Sequence, residues 1–145
     1  GRIDRLDSTP DGQGLFVIDY KSGGIPSSGS LGKEEGLQLP LYLMALKEER
    51  PGTDVIGGAY LSLPGKKRSG VIAAESAEPL GAGLKGLREV DGEGMEELFR
   101  ITRETAREAV AGMREGIIAP RSKGHCPPWC NLGPACRARR EGYRP

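Results

Sequence analysis

The chain has 145 residues, 37% of them apolar but only 5% aromatic, with 23 glycines, 11 prolines and a formal net charge of +1. That length suits one domain with a single core, and the near-zero charge does not by itself mark a nucleic-acid binder. The lack of any apolar run of about 18 residues excludes a membrane-spanning helix, and the lack of a basic-then-apolar leader favours a cytoplasmic location over secretion.

The sequence opens inside a strand-like motif without an initiating methionine, which predicts a fragment of a larger polypeptide. Gly1 to Asp7 and Phe16 to Lys21 are rich in apolar and β-prone residues and flank Ser8-Thr9-Pro10-Asp11-Gly12, whose residue types end strands, so they predict a hairpin. Alternation along the second strand puts Asp19 and Lys21 on one face and Ile18 and Tyr20 on the other. Asp4, on the face opposite Ile3 and Arg5, joins the same cluster if the hairpin pairs it near Asp19. Two carboxylates so close repel unless something binds between them. A divalent cation does this: Mg²⁺ prefers oxygen ligands and keeps several waters, so Asp4, Asp19 and a backbone carbonyl, that of Tyr20, suit an open site. Lys21 is then placed to orient an attacking water and to offset charge developing on a phosphate. The alternative is a solvated Asp/Lys pair on an ordinary half-buried strand.

Residues 22 to 36 carry breakers throughout and predict a loop placed to move over substrate. They lack the Gly-x-x-x-x-Gly-Lys-Ser/Thr order of a phosphate-binding loop. Leu37 to Glu49 predicts a helix with Leu37, Leu41 and Met44 on its apolar stripe. Gln38 and Tyr42 lie one turn apart on a neighbouring face, as a functional pair or a half-buried packing pair. Pro40 requires the helix to start close by. Arg50 to Asp54 is a turn, Val55 to Leu63 a strand stopped at Pro64, and Lys66-Lys67-Arg68 a turn cluster for the DNA backbone or for solvent. Gly70 to Glu75 is expected to pair back as a hairpin. Residues 76 to 92 have no firm periodicity and are expected to be irregular. Between Gly94 and Gly116, Met95, Leu98, Thr102, Ala106, Ala109 and Met113 recur at helical spacing, predicting a long amphipathic helix on the sheet. Gly116 ends it and Pro120 prevents its resumption.

The tail, residues 121 to 145, holds six basic residues against Glu141, and so suits phosphates or solvent alike. Cys126, Cys130 and Cys136 fall within 11 residues, which fits a metal site better than a disulfide framework. Zinc held by these cysteines with His125 is one reading, although His125 directly adjoins Cys126.

Gly-x-Ile-Asp (residues 1–4), Ile-Asp-Tyr-Lys-Ser-Gly (residues 18–23) and Gln38-x-x-x-Tyr42, in this order, resemble the RecB-like nucleases of the PD-(D/E)XK superfamily. The cysteine tail resembles their iron–sulfur members, among them AddB-type helicase-nucleases and CRISPR-associated exonucleases. The first gap between cysteines is three residues here, where that family usually has two. The resemblance implies an α/β, restriction-endonuclease-like core: a mixed central sheet flanked by helices, incomplete at its N-terminus, with the nuclease core over residues 1–120 and a basic cysteine tail over 121–145. It implies a metal site at Asp4 and Asp19, catalytic roles for Lys21, Gln38 and Tyr42, and Mg²⁺ or Mn²⁺ as cofactor. It also implies a [4Fe-4S] cluster on Cys126, Cys130, Cys136 and a fourth cysteine outside the chain. The expected activity is exonucleolytic hydrolysis of DNA, joined to a helicase region of the same polypeptide and a second helicase-nuclease subunit in double-strand break repair. A stand-alone or CRISPR-associated exonuclease, and a nuclease-like module that only binds DNA, are the competing readings.

Overall fold

The computed structural model describes residues 1–80 and 85–117. Two compact units divide the chain, Gly1–Glu108 and Ala109–Pro145. The first is built on a five-stranded mixed sheet whose strands β1 (Arg5–Ser8), β2 (Gly14–Lys21), β3 (Asp54–Ser62), β4 (Arg68–Ala73) and β5 (Leu87–Val90) stand side by side in sequence order. β1 with β2 and β3 with β4 are antiparallel, whereas β2 with β3 and β4 with β5 are parallel. Parallel neighbours need a crossover. The helix α1 (Gln38–Glu49) supplies the first and α2 (Ala74–Leu80) lies within the second, and α3 (Gly92–Arg114) follows β5.

The expected hairpin forms, in a tighter version. β1 begins only at Arg5, so Asp4 lies in the bend that leads into it. The connection is closed by Thr9: its N–H donates to the Gly14 carbonyl (2.9 Å), and its carbonyl accepts the Gly12 N–H (2.8 Å). Asp11 accepts the Gln13 N–H (3.0 Å) in the manner of turn-forming aspartates.

β2 and β3 pair out of step once. Leu15 stands opposite Val55 and Phe16 opposite Gly57, leaving Ile56 as an extra residue, a β-bulge at which Gly57 adopts φ +149°. Beyond it, Val17 faces Gly58, Asp19 faces Tyr60 and Lys21 faces Ser62.

The core lies on one side of this sheet. Val17, Tyr60 and Val71 from the strands meet Leu39, Leu43 and Leu46 of α1, Met95, Leu98 and Phe99 of α3, and Leu31. Each such side chain, fully buried, contributes about 1.5–3 kcal/mol of transfer free energy. On the sheet's other face an open groove of about 440 Å³ is lined by Phe16, Ile18, Ala59 and Leu61, away from Asp19.

Four expectations need correction. The apolar stripe of α1 is Leu39, Leu43 and Leu46, and Leu41 points outward. Both stripes are apolar in sequence, and packing against Val17 and Tyr60 selects one. In α3, Met95, Leu98 and Thr102 are buried as expected, together with Phe99, but Ala109 and Met113 are exposed. Residues 76–92 contain most of α2 and all of β5, whose four residues are too few to show a period. The loop after β2 is tethered rather than free: Ser62 Oγ donates to the Gly23 carbonyl, Ser69 Oγ to that of Pro26, and Ser28 Oγ to that of Gly86. Leu31 at its far end is in the core.

In the second unit, Gly116 N–H donates to the Met113 carbonyl (3.2 Å) and Ile117 N–H to that of Gly112 (2.9 Å). This paired closure ends α3 at the expected glycine. His125, Cys126, Cys130, Cys136 and the expected boundary at residue 120 lie outside the described residues.

Candidate active site

Strand alternation builds the site. Leu15, Val17, Asp19 and Lys21 point from β2 toward α1, and the first two sink into apolar packing. Asp19 follows them inward and is only 2% exposed, where a carboxylate needs compensation. Lys21 provides it, with Nζ 2.6 Å from Asp19 Oδ1. The approach is not along a hydrogen-bonding direction: Asp19 Oδ1, wholly inaccessible, accepts no hydrogen bond. The ion pair with Lys21 is therefore what offsets the burial of this oxygen.

The ammonium is held by two further groups. Gln38, the first residue of α1, accepts a hydrogen bond from Lys21 Nζ through Oε1 (2.7 Å), and the ring of Tyr60 lies below with its centroid 5.4 Å from Nζ. Gln38 Nε2 donates to the hydroxyl of Tyr42, one turn on (3.0 Å), and Tyr42 donates to the Arg2 carbonyl (2.9 Å). Lysine, helix and N-terminal segment are thereby one network.

Asp4 belongs to the same corner. The ladder pairs Arg5 with Ile18, so one step further sets Asp4 across from Asp19. There its Oδ2 accepts the Tyr20 N–H (3.0 Å), a donor that β1 has not yet begun to satisfy. Asp4 is exposed and Asp19 buried, so one carboxylate faces solvent and the other the interior.

Asp4, Asp19, Lys21, Gln38 and Tyr42, all expected from sequence, are thus drawn to one end of β2. Among the described residues no three His, Cys, Asp or Glu side chains converge as a ready metal cage. Two carboxylates, one buried and one exposed, nevertheless fit an ion that takes few protein ligands and retains waters.

Sequence reasoning missed Tyr60. It is the only aromatic residue of β3, 1% exposed, and its hydroxyl accepts the Leu39 N–H (2.9 Å). Its alternation with Gly58 and Ser62 was a usable signal, but without the bulge at Ile56 the face was not assignable.

Burial pushes the Tyr60 phenol above its ordinary value of about 10, outweighing the opposite pull of the Leu39 N–H, with the charge of Asp19 adding to the rise. Below pH 10 the phenol is protonated in folded and unfolded chains alike. Above it the unfolded chain releases the proton first, so stability falls as pH rises toward the folded-state value. Melting temperatures between about pH 9 and 11 should therefore drop more steeply for the wild type than for Tyr60→Phe; parallel curves would contradict this.

A family model described as the PD-(D/E)XK nuclease superfamily matches residues 1–137. No curated protein matches the chain.

Proposed function

Since this chain belongs to the PD-(D/E)XK nuclease superfamily, whose members are generally metal-dependent nucleases, we propose that it hydrolyses DNA phosphodiesters, with Asp4 and Asp19 holding Mg²⁺ or Mn²⁺ and Lys21 acting at the scissile phosphate. The observation that carries this reading is the convergence of Asp4, Asp19 and Lys21 at one end of β2, with the buried Asp19 oxygen already in contact with a cationic group, the Lys21 ammonium 2.6 Å away. The five-stranded mixed sheet with flanking helices agrees with the restriction-endonuclease-like fold of the superfamily.

When bound, the ion supplies Lewis acidity toward a phosphate oxygen and makes a water more acidic. Asp4, Asp19 and the Tyr20 carbonyl would hold it. Lys21 orients the attacking water and stabilises the negative charge that grows on the phosphoryl oxygens. Gln38 keeps the ammonium aimed through its Oε1 contact, and Tyr42 keeps Gln38 in place by fixing its amide.

The finer assignment is an exonuclease within an ATP-dependent helicase-nuclease of double-strand break repair, with a [4Fe-4S] cluster on Cys126, Cys130, Cys136 and a cysteine elsewhere. It is supported by the order of the three site motifs and by the three closely spaced cysteines. Anaerobic purification with iron and sulfide analysis tests the cluster. Zinc in place of iron would support the Cys₃His reading instead.

Calorimetric titration of Mg²⁺ or Mn²⁺ into the chain and into Asp19→Asn, with cleavage of linear DNA followed in parallel, tests the site. The wild type should bind the ion, and the variant should lose at least about 10-fold in affinity, the loss of about 1.4 kcal/mol or more that removal of a charged ligand implies. Equal binding and cleavage by both would overturn the assignment.

A further inference from the structure

The buried face of the site holds one side chain whose placement the proposed chemistry has not used. Tyr60 stands directly across from Asp19 in the β2/β3 ladder. It is among the largest fully buried side chains of the described residues. We infer that Tyr60 is a positioning residue for Lys21: its ring seats the ammonium, and its hydroxyl fixes the start of α1, from which Gln38 holds the same ammonium. This deepens the nuclease reading and rests on it.

The first half follows from α1's first turn. The helix has no side-chain N-cap: Leu37 precedes it in helical conformation without a capping hydrogen bond, and no acidic residue lies in the first turn. Two devices reduce the deficit of unpaired donors that every helix start carries. Pro40 has no N–H to satisfy, and the Leu39 N–H donates to Tyr60 OH across the core at 2.9 Å. The cap is thus borrowed from the neighbouring strand. Gln38 precedes Leu39 directly, so the hydroxyl that fixes this turn also fixes the base of the side chain that accepts from Lys21.

The second half is electrostatic. Lys21 Nζ sits 5.4 Å from the Tyr60 ring centroid, within the range at which a ring face attracts a cation. Carboxylate, amide oxygen and ring together surround the ammonium. The ring and Gln38 would hold Lys21 independently of Asp19, were that carboxylate to serve as a metal ligand.

The test is made on the whole chain in two readouts. Nuclear magnetic resonance of the Lys21 Cε protons, assigned with Lys21→Arg, should find them displaced upfield by the ring current in the wild type and in Tyr60→Phe. They should lie at the ordinary lysine position in Tyr60→Leu. Single-turnover cleavage should fall on the order of 10- to 100-fold in Tyr60→Leu, the scale of a misplaced catalytic group. Tyr60→Phe, which keeps the ring but lacks the hydroxyl that fixes α1, should recover only part of it; full recovery would remove the hydroxyl from the role assigned to it. Leu43→Ala, which opens the same core away from the ammonium, controls for lost packing. It should lower stability while leaving the Lys21 resonances in place. Lys21 protons at the ordinary position in the wild type, or an upfield shift retained in Tyr60→Leu, would overturn the inference. So would a cleavage loss in Leu43→Ala equal to that in Tyr60→Leu at a temperature where both are folded. If the shift follows the ring while the wild type cleaves no DNA in Mg²⁺ or Mn²⁺, the seat of Lys21 is upheld and the nuclease reading is what fails.

Discussion

Lys21→Ala is expected to lower metal-dependent cleavage by about 10³-fold, the upper range for removing one preorganised group that stabilises transition-state charge, and to weaken the fold when metal is withheld. Asp19 is 2% exposed and has Lys21 as its nearby countercharge. Stripping one partner from a buried ion pair costs about 3–5 kcal/mol. The lysine side chain is 30% exposed, so water screens part of the interaction and the cost here falls nearer about 2 kcal/mol. The two effects separate by metal. A divalent ion restores the missing positive charge beside Asp19 but cannot restore the group that orients the nucleophile. Mg²⁺ should therefore raise the melting temperature of Lys21→Ala more than that of the wild type, while cleavage stays lost. Thermal melts in chelator and in Mg²⁺, with single-turnover cleavage, make the comparison. Cleavage within about 10-fold of wild type, or a metal-free melting temperature that does not move, would remove Lys21 from the role assigned to it.

Gly70→Ala is expected to be among the most damaging single-methyl changes in the sheet. A Cβ at Gly70 would lie 2.1 Å from the Gly58 carbonyl oxygen, 2.8 Å from Ala59 Cα and 3.0 Å from the Gly58 carbonyl carbon. All three are backbone atoms of the facing strand. A crowded side chain can change rotamer, but a ladder cannot, so β3 and β4 must part locally, with loss of stability of about 3 kcal/mol or more. Gly58 also abuts Leu39 and Leu43 and pairs with Val17, so a shift of β3 is felt through α1 at the site. Gly23→Ala, where the added carbon meets nothing within 4 Å, should change stability by less than about 0.5 kcal/mol. Denaturant midpoints decide this. A Gly70→Ala loss as small as that of Gly23→Ala would mean the two strands are not packed this closely.

Much of the site was legible because its logic is local. Period-two alternation alone puts Asp19 and Lys21 on one face, and a helical turn alone brings Gln38 beside Tyr42. Joining those pairs across 17 residues required the resemblance to known nucleases, since nothing in the spacing says that Gln38 meets Lys21. Other features were hidden for physical reasons. α1 is apolar on more than one side, so its buried stripe depends on what it packs against. β5 is a short strand whose identity comes from its pairing with β4. The stripe of α3 continues in sequence through Ala109 and Met113, but periodicity describes a helix face and not what covers it. Tyr60 was lost to a single unpaired residue upstream.

That residue, Ile56, sets the phase of everything after it. In an unbulged β3, Ala59 and Leu61 would turn toward α1 beside Asp19 and Lys21, while Tyr60 and Ser62 faced the opposite side of the sheet. The chemistry would then be lined by two aliphatic side chains, with no hydroxyl for the Leu39 N–H and none for the Gly23 carbonyl. A length change at this point therefore acts on parity: removing the extra residue Ile56 closes the bulge and leaves each later side chain on its present face, whereas removing two residues exchanges the two linings. Homologues aligned through β3 should accordingly show either the bulge residue or a one-residue gap here, and not a two-residue gap, a rule set by the pleat and indifferent to which residue is lost.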